Sequence, residues 1–398
     1  MPGAKSLNIL HTVEFYHPSV GGMQEVVRQI SERLVKLGHR VTVATSEVAQ
    51  RKDGSLNGVE IRSFNVAGNA VRGITGDAQR YREFLLNADF DVITNFAAQV
   101  WPTDLALPLL DRLWPAKVFV PTGFSALHLR RYRGYFAQMG EFMKKYDMNV
   151  FLSDDYRDIE FARSRRVEKI MLIPNGAGAD EFAPDHSVTF RKRHGIPEDH
   201  FLVLHVGSHT GVKGHAEAIR IFDRARIANA TFLLVGNEAG IGCARACRMR
   251  ERLLGLKEHF AKKGKRLMVK PLDRAETVAA YQQADLFLFP SNIECSPIVL
   301  FECMASKTPF LTTDVGNAAE ILSWSGGGAL LPTRINRAGF SKAKVADSSL
   351  LLEMLYRDKQ ARLRMAESGH AAWRERFTWE KIALDYEALY HEVAGGRE

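Results

Sequence analysis

Apolar positions along this chain fall into two similar series of short runs and helical stripes. Leu7 to Val13 is the first run, the pattern of a strand buried on both faces. A loop with Pro18 and Gly21-Gly22 follows. Val26, Val27, Ile30, Leu34 and Leu37 then recur at helical spacing, and Gly38 stands where a helix ends. Val41-Thr42-Val43-Ala44 predicts a second strand. A strand, glycine turn, helix and strand in this order open a parallel sheet.

The same order restarts in mid-chain. Phe201 to Val206 is apolar, Gly207 breaks the run, and the loop passes Lys213-Gly214 into a helical stripe of Ala218, Ile219, Ile221 and Phe222. Thr231 to Val235 follows as a strand. Asp285 to Phe289 and Thr308 to Thr313 predict further strands, with a helix from Ile298 to Ala305 between them. Trp379 to Val393 has helical spacing through Ile382, Tyr386, Leu389 and Tyr390. Between the halves, Ile173-Pro174-Asn175-Gly176 reads as a turn cluster and hinge. The expectation is two α/β domains facing a central cleft: residues 1–176, completed by a closing helix over 377–398, and residues 177–376.

The length of 398 residues suits two such domains. No run of 18 apolar residues is present, and the N-terminus enters a strand pattern rather than a leader, so a cytoplasmic protein is expected. The formal charge of +8 divides evenly about Gly178, +4 on each side, so no basic tail singles out nucleic acid. Cys243, Cys247, Cys295 and Cys303 have no C-x-x-C spacing, and no histidine cluster stands beside them in the chain; buried free thiols are the expectation, with no metal site.

The chemistry concentrates in Pro290 to Ala305. A strand ends, Glu294 lies in the loop, and Glu302 falls in the second turn of the helix that starts near Ile298. Two carboxylates then flank a helix N-terminus, whose free N–H groups and positive dipole end suit a phosphate, while the carboxylates suit sugar or ribose hydroxyls.

This stretch resembles the E-x7-E signature of the family-4 retaining glycosyltransferases, which have the two-domain GT-B fold. The likeness extends to Gly21-Gly22, the junction Pro174-Asn175-Gly176, the loop from Val206-Gly207 to Lys213-Gly214, and the closing helix, which in the family crosses back onto the first domain. It implies a retaining, metal-independent transfer from a nucleotide-diphosphate sugar, a UDP- or GDP-sugar, with no other cofactor. By that resemblance Glu294 lies near the donor sugar, Glu302 binds ribose, the N–H groups of Ile298 and Val299 hold phosphate, and Lys213 offsets charge on the leaving diphosphate. Gly22 lets the backbone approach the donor or acceptor.

Three departures stand out. Ser208 replaces the arginine usual after the loop glycine, which leaves His209 as a candidate for the missing charge. Pro297 replaces a glycine and has no N–H to give. Pro121-Thr122-Gly123 follows Val118 to Val120 where many members have a histidine; Thr122, Gly123 and the later His128 are the acceptor-side candidates.

Residues Ala126 to Lys145 hold five basic side chains (Arg130, Arg131, Arg133, Lys144, Lys145) interleaved with Tyr132, Tyr135, Phe136 and Phe142. Such a segment suits an anionic bilayer presenting a lipid-linked acceptor, and it equally describes a solvated basic face over a local core. The resemblance implies a glycan, a lipid-linked sugar or another hydroxyl as the acceptor. A nucleotide-sugar-binding protein without transfer activity is the alternative reading.

Overall fold

The computed structural model describes residues 5–87, 89–183, 189–237, 242–337 and 339–396. The chain divides into two compact units, Met1–Asn175 with Trp379–Glu398, and Gly176–Thr378.

The first unit contains strands β1 (Asn8–Thr12), β2 (Arg40–Ser46), β3 (Ser55–Leu56), β4 (Val59–Phe64), β5 (Val66–Asn69), β6 (Gly73–Gly76), β7 (Val92–Phe96), β8 (Ala116–Val120), β9 (Met148–Phe151) and β10 (Ile170–Leu172). Eight of them form one sheet in the order β10-β9-β8-β7-β1-β2-β4-β3, parallel except for β3, while β5 and β6 form a separate hairpin. Every residue of β7 and β8 is buried, which is why these strands read as unbroken apolar runs. Helix α1 (Gly22–Lys36) follows β1 and stops before Gly38, whose φ of +97° is the left-handed conformation that ends helices. Helix α2 (Arg133–Lys144) lies between β8 and β9.

The C-terminal helix Trp379–Gly395 belongs to this unit and buries Ile382, Ala383, Tyr386, Leu389 and Tyr390. Polar ties fix its register. Thr94 Oγ1 donates to Tyr390 Oη at 2.7 Å, and His11 Nε2 lies 3.0 Å from the same oxygen. Arg33 pairs with Glu380 at 2.7 Å. Burial holds His11 far below its usual range, at about 3, so it serves here as a neutral hydrogen-bonding group.

The second unit has a six-stranded, wholly parallel sheet of β11 (Phe201–Val206), β12 (Ala230–Val235), β13 (Lys265–Lys270), β14 (Leu286–Phe289), β15 (Phe310–Thr312) and β16 (Gly328–Leu330). Its order is β13-β12-β11-β14-β15-β16, so chain direction across the sheet reverses between β11 and β14. Helices α3 (His215–Arg224), α4 (Cys243–Gly255), α5 (Arg274–Gln283) and α6 (Ile298–Ala305) cover it. In doubly wound sheets the crevice beyond the carboxyl ends of the strands, at that reversal, is where ligands sit. The loops leaving β11 and β14 meet there.

Candidate functional site

These two loops are stitched together by backbone. Asn292 N–H donates to Val212 O at 2.8 Å. Gly214 has φ +73°, and a Cβ at that position would lie 1.8 Å from Pro290 O, so only glycine lets the loops close. The closure brings Lys213 to Glu294: Nζ donates to Oε1 at 2.7 Å and to Oε2 at 2.8 Å. Ser291 Oγ also donates to Glu294 Oε1, at 2.6 Å. Sequence inspection missed Ser291. Its hydroxyl sits three residues ahead of the carboxylate it orients, a spacing without a distinctive signature.

Helix α6 starts at Ile298. Its N-cap, Pro297, has no side chain able to accept a hydrogen bond, and Ile298 and Val299 are partly exposed. The first N–H groups of a helix lack intrahelical partners, so this end offers donors to an anion. Glu302 lies one turn further in and is 3% exposed. The Arg274 guanidinium donates to Glu302 Oε1, and its Nη2 donates to Glu181 Oε2 at 2.7 Å. Arg274 was not singled out by sequence. One signal was available: it is the first residue of α5, where a cation is disfavoured by the helix dipole unless carboxylates hold it.

Ser208 is partly exposed and His209 is 6% exposed. Burial, with the Arg248 charge adding to it, holds His209 below its usual range. At neutral pH it is uncharged, so His209 alone does not replace the arginine charge that Ser208 lacks. Below the loop His205, His215 and His209 form a row, with ring centroids 4.7 and 4.5 Å apart. Burial pushes His215 down to about 4 and His205 well below normal. The expectation about cysteines needs correction here. Cys247 and Cys303 are buried, but Cys243 and Cys295 are partly exposed. The chain shows no histidine beside a cysteine, yet folding brings His209 and His215 to Cys243.

In the first unit Gly22 opens α1 and is exposed, with open space where a Cβ would stand. Beyond β8, Thr122, Gly123 and Phe124 have φ values of +57°, +99° and +41°. Beyond β7, Ala97 and Gln99 have +66° and +64°. Non-glycine residues in this region carry strain of about 1 to 3 kcal/mol each, and such strain gathers at functional sites. Gly123 N–H donates to Asp158 Oδ2 at 2.8 Å, which pins the turn. Asp158 is 2% exposed, and burial raises its carboxyl to about 6. His128 is exposed and is not brought to this turn by any hydrogen bond among the described residues.

The aromatic members of Ala126 to Lys145 are core. Tyr132 and Phe136 are 2% and 4% exposed, and Tyr135 and Phe142 pack against the same cluster. Tyr135 Oη donates to Asp104 Oδ1 at 2.8 Å. Tyr132, Phe136, Met139 and Met143 are buried because their spacing of three to four residues turns them to one inner face. The basic side chains stay outside: Arg130, Arg131 and Arg133 are exposed, while Lys144 and Lys145 pair with Glu141 and Asp111. Among the described residues no helix is long and apolar enough to cross a membrane.

Two families match the chain in succession: Glycosyltransferase Family 4 over residues 20–181, and Glycosyl transferases group 1 over residues 187–365. The chain belongs to this family of glycosyltransferases, whose members use nucleotide sugars, and it has their GT-B fold. It is 24% identical to D-inositol 3-phosphate glycosyltransferase of Corynebacterium urealyticum, over 94% of this chain and 91% of that one. It is 26% identical to the lipopolysaccharide glucosyltransferase WaaG of Escherichia coli, over 76% and 79% respectively. Among solved structures it is similar to Anabaena HepE in complex with UDP and glucose, with TM-score 0.72 and 15% identity over 96% of this chain and 99% of that one.

Proposed function

We propose that this glycosyltransferase moves a sugar from a UDP- or GDP-sugar to a hydroxyl of a glycan or lipid-linked acceptor, with retention of anomeric configuration and without a metal on the diphosphate. The observation that carries this reading is the Lys213–Glu294 pair, set beside the start of α6 at the reversal point of the second sheet. Lys213 and the N–H groups of Ile298 and Val299 hold the diphosphate, and Glu294 meets the sugar. Glu302, oriented by Arg274, accepts from the ribose hydroxyls. Ser208 borders the phosphates without adding charge. Gly22, Thr122 and Gly123 shape the acceptor side, with His128 at its margin.

Charge on the leaving diphosphate grows as the bond to the sugar breaks, so a fixed ammonium stabilises the transition state more than the bound donor. The departing diphosphate takes the acceptor's proton, and attack comes on the same face. UDP-glucose is the first donor to test, because a structure of HepE was determined with it.

WaaG acts on lipopolysaccharide, and the exposed Arg130, Arg131 and Arg133 here support an acceptor presented at an anionic membrane surface, touched from the cytoplasmic side. The test is a panel of UDP-, GDP-, ADP- and dTDP-sugars followed by melting temperature, then NMR of the product formed with the stabilising donor. A donor at 100 times its Kd stabilises by about 2.7 kcal/mol. No shift with any donor, or a product of inverted configuration, overturns the reading.

A further inference from the structure

Three side chains from separate stretches of the chain converge beside the loop that follows β11. His209 belongs to that loop, His215 is the first residue of α3, and Cys243 is the first residue of α4. One ligating atom of each lies within 4.8 Å of the others. His209 and His215 are 6% and 2% exposed, and the Nδ1 atom of each is buried without a hydrogen-bond partner. Buried polar atoms are rarely left so, because lost hydration goes unreplaced. Two in stacked neighbouring rings point to one shared partner.

The tautomer of His215 fits that partner. Its Nε2 lies 3.1 Å from Gly207 O and donates to it, so the proton is on Nε2 and the lone pair is at Nδ1. A ring N–H given to a backbone carbonyl is the outer contact that orients metal-binding histidines. Cys247, one turn along α4, is buried, while Cys243 itself is partly exposed.

We propose that His209, His215 and Cys243 bind one zinc ion, tying the loop after β11 to the start of α4. Two imidazoles and a thiolate favour Zn2+ over Mg2+ or Ca2+, which prefer oxygen. Tetrahedral bonds of about 2.0 to 2.3 Å place ligand atoms roughly 3.3 to 3.6 Å apart, so the three donors close by at most about 1.5 Å on binding. The fourth position takes water. Binding releases the thiol proton. One thiolate and two neutral rings leave the site with a net charge of +1, next to Ser208. This electrostatic consequence rests on the donor-site reading above; the binding itself does not. The other ligating cluster, His39 with Glu387 and His391, is less suited: His39 Nδ1 accepts from Leu7 N–H and its Nε2 bonds Glu387.

The full chain, stripped with a chelator, is titrated with Co2+ in the absence of nucleotide. The expected result is one ion per chain with a near-ultraviolet thiolate-to-cobalt band, which Zn2+ then displaces. Cys243→Ser should abolish the band and weaken Zn2+ binding by more than the 10- to 100-fold that loss of an outer contact brings. His209→Gln, in the loop, should weaken it similarly, with near-ultraviolet circular dichroism confirming that both variants are folded. Cys295→Ser and His391→Ala should change nothing. Zn2+ affinity unchanged in Cys243→Ser, or binding lost in His391→Ala, overturns the site. UDP should bind the zinc-loaded chain several-fold more tightly than the stripped chain, and equal affinity overturns the electrostatic role. Because the metal titration contains no donor, its failure and a failure of glycosyl transfer are separate results.

Discussion

The ammonium of Lys213 lies 2.7 and 2.8 Å from the two carboxylate oxygens of Glu294, so the cation of one loop is held by the anion of the next. The side chains are 28% and 10% exposed, so the pair is neither fully wet nor sealed. On the proposed reading an arriving diphosphate competes for Lys213, while Glu294 keeps its bond from Ser291 Oγ and accepts from a sugar hydroxyl. On that reading the pair holds both groups in place before the donor arrives, which lowers the reorganisation needed during reaction.

Lys213→Ala is expected to lower turnover by about 100- to 1000-fold, the scale for removing one group that stabilises developing charge. Nucleotide affinity should fall much less. Lys213→Arg should not restore activity, since a planar fork cannot take the place of a compact ammonium. Donor-hydrolysis kinetics beside UDP titration calorimetry decide this. Equal losses in binding and in kcat/KM would remove Lys213 from the transition state.

The Arg274–Glu302 contact makes a second prediction. Glu302→Ala should weaken UDP binding by roughly 1.5 to 3 kcal/mol, the range for a hydrogen bond to a charged group. Arg274→Ala should destabilise the fold toward the lower end of about 3 to 5 kcal/mol, because it strands a buried carboxylate while Arg274 itself is 39% exposed. Adding Glu302→Gln to Arg274→Ala should recover part of that loss. Urea unfolding of the cycle gives the coupling directly; additive losses would mean that the two side chains act independently.

What the sequence shows and hides follows from the range of each interaction. The run Phe201 to Val206 ending at Gly207, and the helix starting after Pro297, are local patterns, and the structure has β11 at Phe201–Val206 and α6 at Ile298–Ala305. Arg274 and Glu302 are 28 residues apart, Gly123 and Asp158 are 35, so only the fold joins them. The strained φ angles at Ala97, Gln99, Thr122 and Phe124 fall on residues that carry no glycine signal. Periodicity in Tyr132, Phe136, Met139 and Met143 marks one helix face. It does not say whether protein or lipid covers that face, and here it is protein.

Asp158 links stability to pH. Its folded value, raised by burial from 3.8 to about 6, means that the folded chain binds the proton more tightly than the unfolded one. The stability it contributes is therefore full below about pH 4 and is lost as pH rises to about 6. About two pH units correspond to roughly 3 kcal/mol. Asp158→Asn keeps an acceptor for Gly123 N–H and removes the titration. Relative to the parent chain, the variant should gain stability between pH 4 and pH 7, read as the difference of their melting curves. A constant difference across that range would mean that Asp158 titrates normally.

The basic face of the first unit supports the last prediction. Tyr132 and Phe136 are buried, Tyr135 and Phe142 are half-buried against the same cluster and Leu129 is exposed, so membrane contact through this segment is mainly electrostatic. Each exposed arginine near an anionic surface contributes about 1 kcal/mol. Arg130, Arg131 and Arg133 together should hold the chain to vesicles containing acidic lipid at low salt. Raising salt from about 0.1 M to 1 M shortens the Debye length from about 10 Å to 3 Å and should release it. Changing the three arginines to Ser should abolish binding. Hydrolysis of a soluble donor should persist, because Lys213, Glu294 and Glu302 belong to the other unit. Co-sedimentation with acidic and neutral vesicles measures both effects. Binding that survives 1 M salt would point to an apolar contact elsewhere, and no binding to acidic vesicles at low salt would make the acceptor a soluble sugar or protein hydroxyl.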